Sequence, residues 1–389
     1  MRVLFCNYEY PPLGGGGGVM NALIAEELAR RHQVTVLTSR ALDLPPETTD
    51  ARGVRIIRVP VLFRREEAVA NLPSMLMFMV TATWRGRRLL AAERFDLINT
   101  QFVLPTGPVG DALARNGRLP NVLTVYGGDI YDPSKFTSPH RHALLRVWVR
   151  RLLRRADVVV GESENVLRYV RRFYTPELES ELIPLGIRRP TAEAATRSRY
   201  GFAADEVLLV TVGRLVPRKA LDQLVTLLES FANLPLRLLI IGTGPEQSSL
   251  EALARERRVT DRVRFMGYVG DDEKFAILKM CDVYVSTSQH EGFGLVFLEA
   301  MASSLPVVCY DEGGQTDFLE DGVTGFLVPL NDRERFAARC GRLIQDEAAR
   351  KTFGRNNLQR VEPYYIENCA LAYERLFQAA IAKAGQGDS

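Results

Sequence analysis

Residues 283–301 read VYVSTSQHEGFGLVFLEAM. The first four form a short, β-branched-rich run without polar alternation, the composition of a strand buried on both faces of a parallel sheet. A polar loop with Gly292 and Gly294 follows, and then an apolar run, 295–301, of helical composition. Similar strand-like runs recur outward in both directions. They fall at 207–212, 236–241, 263–269, 307–310 and 325–328 in the same half of the chain. In the other half they fall at 3–8, 34–39, 54–60, 97–100, 122–126, 158–161 and 182–185. Helical stretches such as 21–31, 221–231 and 247–257 lie between them. This alternation predicts an α/β fold with two doubly wound parallel sheets.

A chain of 389 residues is long enough for two or three domains at roughly 150 residues each. Segment 187–205, IRRPTAEAATRSRYGFAAD, is polar, holds no strand and divides the chain nearly in half. The expected domains are therefore 1–187 and 188–365. A weak echo, ADVVV at 156–160 and CDVYV at 281–285, fits a duplicated unit and equally fits two unrelated buried strands. The tail carries Ile366, Ala370, Tyr373, Leu376, Phe377 and Ile381 at helical spacing. Residues 385–389 are expected to fray.

With 46% hydrophobic and 25% charged residues, the composition excludes disordered, collagen-like and coiled-coil chains. The longest apolar stretch, 72–83, is too short to span a bilayer, and Met1-Arg2 leads directly into a strand-like run, so no signal peptide is expected. Cys6, Cys281, Cys309, Cys340 and Cys369 are scattered and form no CxxC pair, which points to a reducing, cytoplasmic setting. The four histidines are dispersed, and no metal centre is expected. Residues 1–190 carry 27 Lys and Arg against 19 Asp and Glu, a net +8; the remainder, with 23 against 28, is −5. An anionic partner is expected for the first half.

Three motifs carry chemistry. PPLGGGGG at 11–18 stands between the first strand and a helix expected from Val19. Five glycines cost backbone entropy and make sense where a ligand approaches the backbone near a helix start. A nicotinamide fingerprint does not fit, because Gly14 and Gly16 would need glycine where Val19 stands, and the second strand ends without an acid. GRLVPRK at 213–219 sets cations at the C-terminal end of a strand, where Arg214 could clamp a diphosphate by a guanidinium fork and Lys219 by an ammonium point charge; a solvated basic turn is the plainer reading. HEGFGLVFLEAM at 290–301 places Glu291 in a loop and Glu299 about a turn and a half into a helix. Eight residues apart, the two carboxylates cannot share a proton. Glu299, on an apolar helix, either faces solvent or accepts bonds from a ligand diol.

With these motifs and EGGQTDFLEDGVTGFLVP at 312–329, the chain resembles the retaining glycosyltransferases of family 4, with the GT-B fold of two facing Rossmann-like domains. The resemblance spans essentially the whole chain. It implies a C-terminal helix, 366–384, returning to the first domain, and a nucleotide-sugar donor held mainly by the second. Arg214 and Lys219 would bind the diphosphate, Glu299 the ribose, and Glu291 would face the sugar. The backbone of Phe293, Gly294 and Leu295 would touch sugar and phosphate. Gly242, Gly244, Met266 and Tyr268 would border base and ribose, and Gly15, Gly16 and Gly17 would close over phosphates or acceptor. No cofactor is implied; the UDP-, GDP- or ADP-sugar is a substrate. Transfer would be retaining and metal-independent, with the leaving diphosphate helping to deprotonate the acceptor.

Two positions depart from the family pattern. In LTVYGGD, 123–129, Tyr126 stands where the family often has His, so no imidazole acid–base is expected, and Tyr126 and Asp129 are the polar candidates there. Ala220 follows Lys219 where Gly is common, a change expected to be inconsequential at a helix start. A non-catalytic sugar-nucleotide or glycan-binding protein of the same fold is the alternative. The acceptor is expected to be a glycan, a lipid-linked sugar or a small molecule, as in cell-envelope polysaccharide synthesis, with no nucleic-acid partner. RHALLRVWVRRLLRRAD at 141–157 mixes Arg146, Arg150, Arg151, Arg154 and Arg155 with Leu144, Leu145, Trp148, Leu152 and Leu153. That pattern suits peripheral attachment to an anionic membrane face, or a core helix with a solvated basic side.

Overall fold

The computed structural model describes residues 1–64, 71–133 and 135–387. The chain forms two compact units: Met1–Gly186 together with the tail from Ile366, and Ile187–Tyr365.

The first unit is built on eight strands: β1 (Arg2–Asn7), β2 (Gln33–Arg40), β3 (Glu47–Thr49), β4 (Arg55–Pro60), β5 (Leu97–Gln101), β6 (Asn121–Val125), β7 (Val158–Gly161) and β8 (Glu181–Leu182). Their order is β3-β4-β2-β1-β5-β6-β7-β8, parallel throughout except for the antiparallel β3–β4 pair. Among the described residues six α-helices connect them: α1 (Gly16–Ala29), α2 (Leu72–Ala92), α3 (Gly107–Gly117), α4 (Gly127–Ile130), α5 (Ala143–Arg155) and α6 (Glu164–Phe173). Phe78 and Ala82 of α2 and Val109 and Leu113 of α3 pack on Leu4 and Ile98. Val149 and Leu153 of α5 pack on Leu123. Thr100 lies two residues from Ile98 and pairs with Leu123, so α2, α3 and α5 form one layer on one face of the sheet.

The second unit has six parallel strands: β9 (Val207–Val212), β10 (Leu236–Ile241), β11 (Val263–Gly267), β12 (Val283–Ser286), β13 (Val307–Tyr310) and β14 (Gly325–Val328), in the order β11-β10-β9-β12-β13-β14. Its helices are α7 (Leu221–Leu227), α8 (Gln247–Glu256), α9 (Asp271–Met280), α10 (Leu295–Ala302), α11 (Arg333–Gln345) and α12 (Glu347–Arg360). Strand order reverses between β9 and β12. The crevice at such a switch point is where doubly wound sheets bind ligands. The last helix, α13 (Ile366–Gly387), rejoins the first unit. Phe377 meets Phe5 edge-on, the Tyr373 hydroxyl lies 3.0 Å from that of Thr124, and Glu374 pairs with Arg31 and His32.

Several expectations change in detail. α1 begins at Gly16, not Val19, so three of the five glycines belong to its first turn. β3, a charged edge strand of three residues, has no apolar run to announce it. Residues 221–231 form α7 followed by a tighter 3₁₀ turn. α13 runs helically past 384, while Asp388 and Ser389 lie outside the described residues. Asp271 and Asp272 sit in the first turn of α9, where they favour the helix dipole, and Gly270 is the capping residue. All five cysteines are buried thiols, and among the described residues no helix is long and apolar enough to cross a membrane.

Candidate functional site

In the second unit, β9 and β12 send their loops out side by side at the switch point. After β9 the chain turns through Gly213 (φ +155°) and Leu215, and a Cβ at Gly242 would lie 2.0 Å from the Gly213 carbonyl oxygen. A Cβ at Gly244 would lie 2.3 Å from the Leu215 carbonyl oxygen. Both glycines, expected to border a nucleotide, therefore have a packing reason of their own: they let the loops after β9 and β10 touch.

Pro217–Lys219 forms a 3₁₀ turn, and Ala220 then takes a left-handed conformation (φ +44°, ψ +43°) before α7 begins. The loop after β12 is fastened to this turn. The Thr287 hydroxyl donates to the carbonyls of Lys219 (3.1 Å) and Ala220 (2.9 Å), and the Gln289 N–H donates to the Arg218 carbonyl (2.9 Å). That clamp brings three groups onto Glu291. Lys219 Nζ donates to Oε1, the Ser288 hydroxyl donates to Oε1 at 2.7 Å, and Arg218 donates to Oε2 at 3.2 Å. Arg218 also donates to the His290 carbonyl. Burial pushes the Glu291 carboxyl upward, but the Lys219 ammonium and the Arg218 guanidinium outweigh it and hold it at about 2. Glu291 is thus an anion committed to cations. Both of its oxygens are engaged within the protein, Oε1 by Lys219 and Ser288 and Oε2 by Arg218.

Arg214 is exposed and enters no ion pair among the described residues. It lines one small pocket with Lys219, Thr211, Gly213 and Ser286. Lys219's direct cationic neighbour on Glu291 is Arg218.

α10 starts after Gly294 (φ +93°), where a Cβ would meet the Phe297 ring at 2.6 Å. Leu295 opens the helix, and Phe293 is buried against Phe318. Inside α10, Glu299 Oε1 accepts from Lys274 of α9 at 2.7 Å, and Lys274 also reaches Asp271 at 3.0 Å. Among the described residues Glu299 Oε2 is buried without a hydrogen-bond partner. Burial raises the Glu299 carboxyl, with Lys274 opposing the rise. A buried carboxylate oxygen left open is costly unless a hydroxyl arrives to donate to it. Met266 is half-buried in β11, and Tyr268 beyond it is exposed.

In the first unit the glycine loop follows β1 and leads into α1. Gly14 (φ +109°) lies against Glu9, whose carboxylate accepts the Gly15 N–H at 3.1 Å. Gly15 and Gly16 have open space where a Cβ would go; at Gly17 it would strike the Phe102 ring at 2.4 Å. Tyr126 is buried beside Phe102 with ring centroids 4.4 Å apart. Its hydroxyl donates to Gln101 at 2.7 Å and accepts from Asn21 at 3.3 Å. Asp129 accepts the backbone N–H groups of Tyr126 (2.8 Å) and Val103, while burial lifts its carboxyl to about 7.

Two family models match consecutive parts of the chain: glycosyl transferase 4-like domain over residues 15–186 and glycosyl transferases group 1 over residues 193–360. The chain is a family-4-type glycosyltransferase of the GT-B fold. The glycosyltransferase is 29% identical to the GDP-mannose-dependent alpha-(1-6)-phosphatidylinositol monomannoside mannosyltransferase of Mycobacterium tuberculosis, over 89% of each chain. It superposes on sucrose-phosphate synthase from Thermosynechococcus elongatus with a TM-score of 0.86 at 25% identity, covering 98% of this chain and 100% of that one. It shares the fold of Anabaena HepE, solved in complex with UDP-glucose, with a TM-score of 0.76 at 20% identity over 97% and 100% of the two chains.

In this glycosyltransferase the structure brings together Lys219, Glu291 and Arg214, and sets Glu299 on the helix that follows. It does not place Tyr126 or Asp129 as free acid–base groups. The Tyr126 hydroxyl bonds Gln101 and Asn21, and Asp129 accepts two backbone N–H groups. Arg218 and Lys274 are functional candidates that the motif reading passed over. Arg218 stood within the motif with no sign that it would turn toward Glu291. Lys274 lies on a different helix, and only the tertiary structure brings it to Glu299.

Proposed function

We propose that this glycosyltransferase moves a sugar from a nucleoside-diphosphate sugar to an acceptor with retention of anomeric configuration and without a divalent ion. The observation that carries the donor reading is the open, buried Oε2 of Glu299, suited to a ribose hydroxyl, in the same unit as the cationic turn at Lys219. As the bond from the sugar's anomeric carbon to the diphosphate oxygen breaks, negative charge grows on the diphosphate. Lys219, Arg214 and the N–H groups at the start of α10 are the groups to stabilise it. The acceptor hydroxyl bonds to the same carbon from the same face, and its proton passes to the departing diphosphate.

The names of the relatives support UDP- and GDP-sugars as first donors to try. The mannosyltransferase's name supports a lipid-linked acceptor. An anionic membrane surface fits α5, whose Arg146, Arg151 and Arg154 are exposed. The test is release of nucleoside diphosphate from a donor panel, in excess EDTA, by the wild type and Glu299→Gln. Release by the wild type at least tenfold above the variant is expected. Rescue of a chelated enzyme only by magnesium or manganese would overturn the metal-free part; equal release by both proteins would overturn the donor site.

A further inference from the structure

We infer that the outer side of the α2–α3–α5 layer docks on an anionic lipid bilayer, with α2 supplying the inserting apolar row and α5 the charge. This deepens the membrane reading of α5 and rests on it. α2 turns Phe78, Ala82 and Leu89 into the core, yet it leaves Leu72 (67% exposed), Leu76, Val80 (70%) and Trp84 in solvent. Each follows the last by four residues, so they form one continuous row along the helix. The row ends at Trp84, with the Arg88 guanidinium 3.7 Å from its ring centroid and Arg87 exposed beside it.

α5 repeats the pattern. Val149, Leu152 and Leu153 are buried, while Leu144 (87% exposed), Val147 and Trp148 face outward with Arg151 and Arg154. The chain has two tryptophans, and both stand on this layer. Aliphatic side chains for the acyl boundary, tryptophan for the interface and arginine for lipid phosphates are the side chains a bilayer surface selects. Neither helix contains Asp or Glu, and together they carry eight arginines. Arg85 and Arg155 are paired with Glu47 and Asp111, and Arg150 donates to the Tyr174 carbonyl; among the described residues the other five enter no ion pair and are exposed. A second copy of this chain is the poorer occupant, because it would set arginines against arginines. Nucleic acid would match the charge and leave the α2 row in water.

The full-length protein is mixed with phosphatidylcholine vesicles with and without phosphatidylglycerol. Trp148→Phe leaves Trp84 as the sole tryptophan, excited selectively at the red edge of the absorption band. Its emission is expected to shift to the blue and to be quenched by brominated acyl chains only on the anionic vesicles. Leu76→Glu with Val80→Glu, both at exposed sites, is expected to lower vesicle affinity at least tenfold while circular dichroism and the thermal shift with UDP stay unchanged. Arg151→Glu with Arg154→Glu is expected to weaken capture mostly at low salt. If the wild type binds but Trp84 does not shift and the α2 variant binds equally well, the α2 inference fails while the α5 reading stands. If the wild type ignores anionic vesicles at low salt, both fail. If it is a dimer that the α2 variant dissociates, the row belongs to a second copy and the inference is overturned.

Discussion

At Glu291 the cost of burying a carboxylate is offset by Lys219, Arg218 and Ser288 on the same two oxygens. The carboxyl's depressed value of about 2, against an ordinary 4.5, fixes a sign. Its stabilising contribution is present in full above 4.5 and is lost as pH falls through the window down to about 2. Glu291→Gln should remove that part of the acid sensitivity and leave two cations beside a neutral amide, destabilising the second unit by on the order of 3 kcal/mol. Urea titrations of both proteins between pH 7 and pH 3, at roughly one-unit steps, read this out; parallel pH profiles would sink it. Lys274 makes a different prediction. It holds one oxygen of Glu299 and leaves the other open, so Lys274→Met should raise the donor KM several-fold and change kcat less; a loss confined to kcat would show another role. Ala220 supplies a third. Its left-handed conformation explains why glycine suits the position after Lys219, and it corrects the view of alanine there as inconsequential. Ala220→Gly relieves roughly 1–2 kcal/mol of strain and gives back about half of that in unfolded-chain entropy, so a gain of up to about 1 kcal/mol is expected in urea unfolding. Glu291, Glu299 and Lys219 were legible in the sequence because charge stood out against glycine and apolar neighbours. Their partners were not, because Arg218 and Lys274 meet them only across loops and helices.

The glycine loop shows how far an element can be read from composition. Glycine costs about 1 kcal/mol per residue in a helix relative to alanine, so the sequence argued for a helix beginning after Gly18. The structure begins α1 at Gly16, and the crowding that justifies glycine is specific to position: Glu9 at Gly14, Phe102 at Gly17, and open space at Gly15 and Gly16. Gly17→Ala should therefore displace the Phe102 ring and destabilise the first unit by roughly 1–3 kcal/mol. Gly16→Ala should leave stability equal or slightly higher. If a ligand closes on this loop, Gly16→Ala loses turnover while its unfolding midpoint holds; unchanged turnover would make the open glycines mere linkers. The strands were the most legible elements. β7, β9, β10, β12, β13 and β14 coincide with the predicted runs, because a strand buried on both faces must be apolar along its length. β3, a polar edge strand with a single neighbour, carries no such constraint.

For the molecule as a whole, the two sheets were legible as alternation, and the midpoint as a polar segment without strands. That the tail belongs to the first unit followed only from resemblance, since an amphipathic helix does not name the surface it covers. Each unit has its own apolar core, so a ligand's binding energy should appear first in the unit that holds it. The residues proposed for the nucleotide, Lys219, Arg214 and Glu299, all belong to the second. A ligand at about 100 times its Kd adds about 2.7 kcal/mol to the state that binds it. Amides of β9 and β12 that exchange by opening of that unit should then slow by roughly a hundredfold with UDP or GDP present. Amides of β1 and β5 that exchange by opening of the first unit should keep their rates. Hydrogen exchange on the full-length protein, followed by peptide mass analysis, measures both sets in one sample. Equal slowing in both sheets would mean that the nucleotide draws its binding energy from both units, and the assignment of its site to the second alone would be lost.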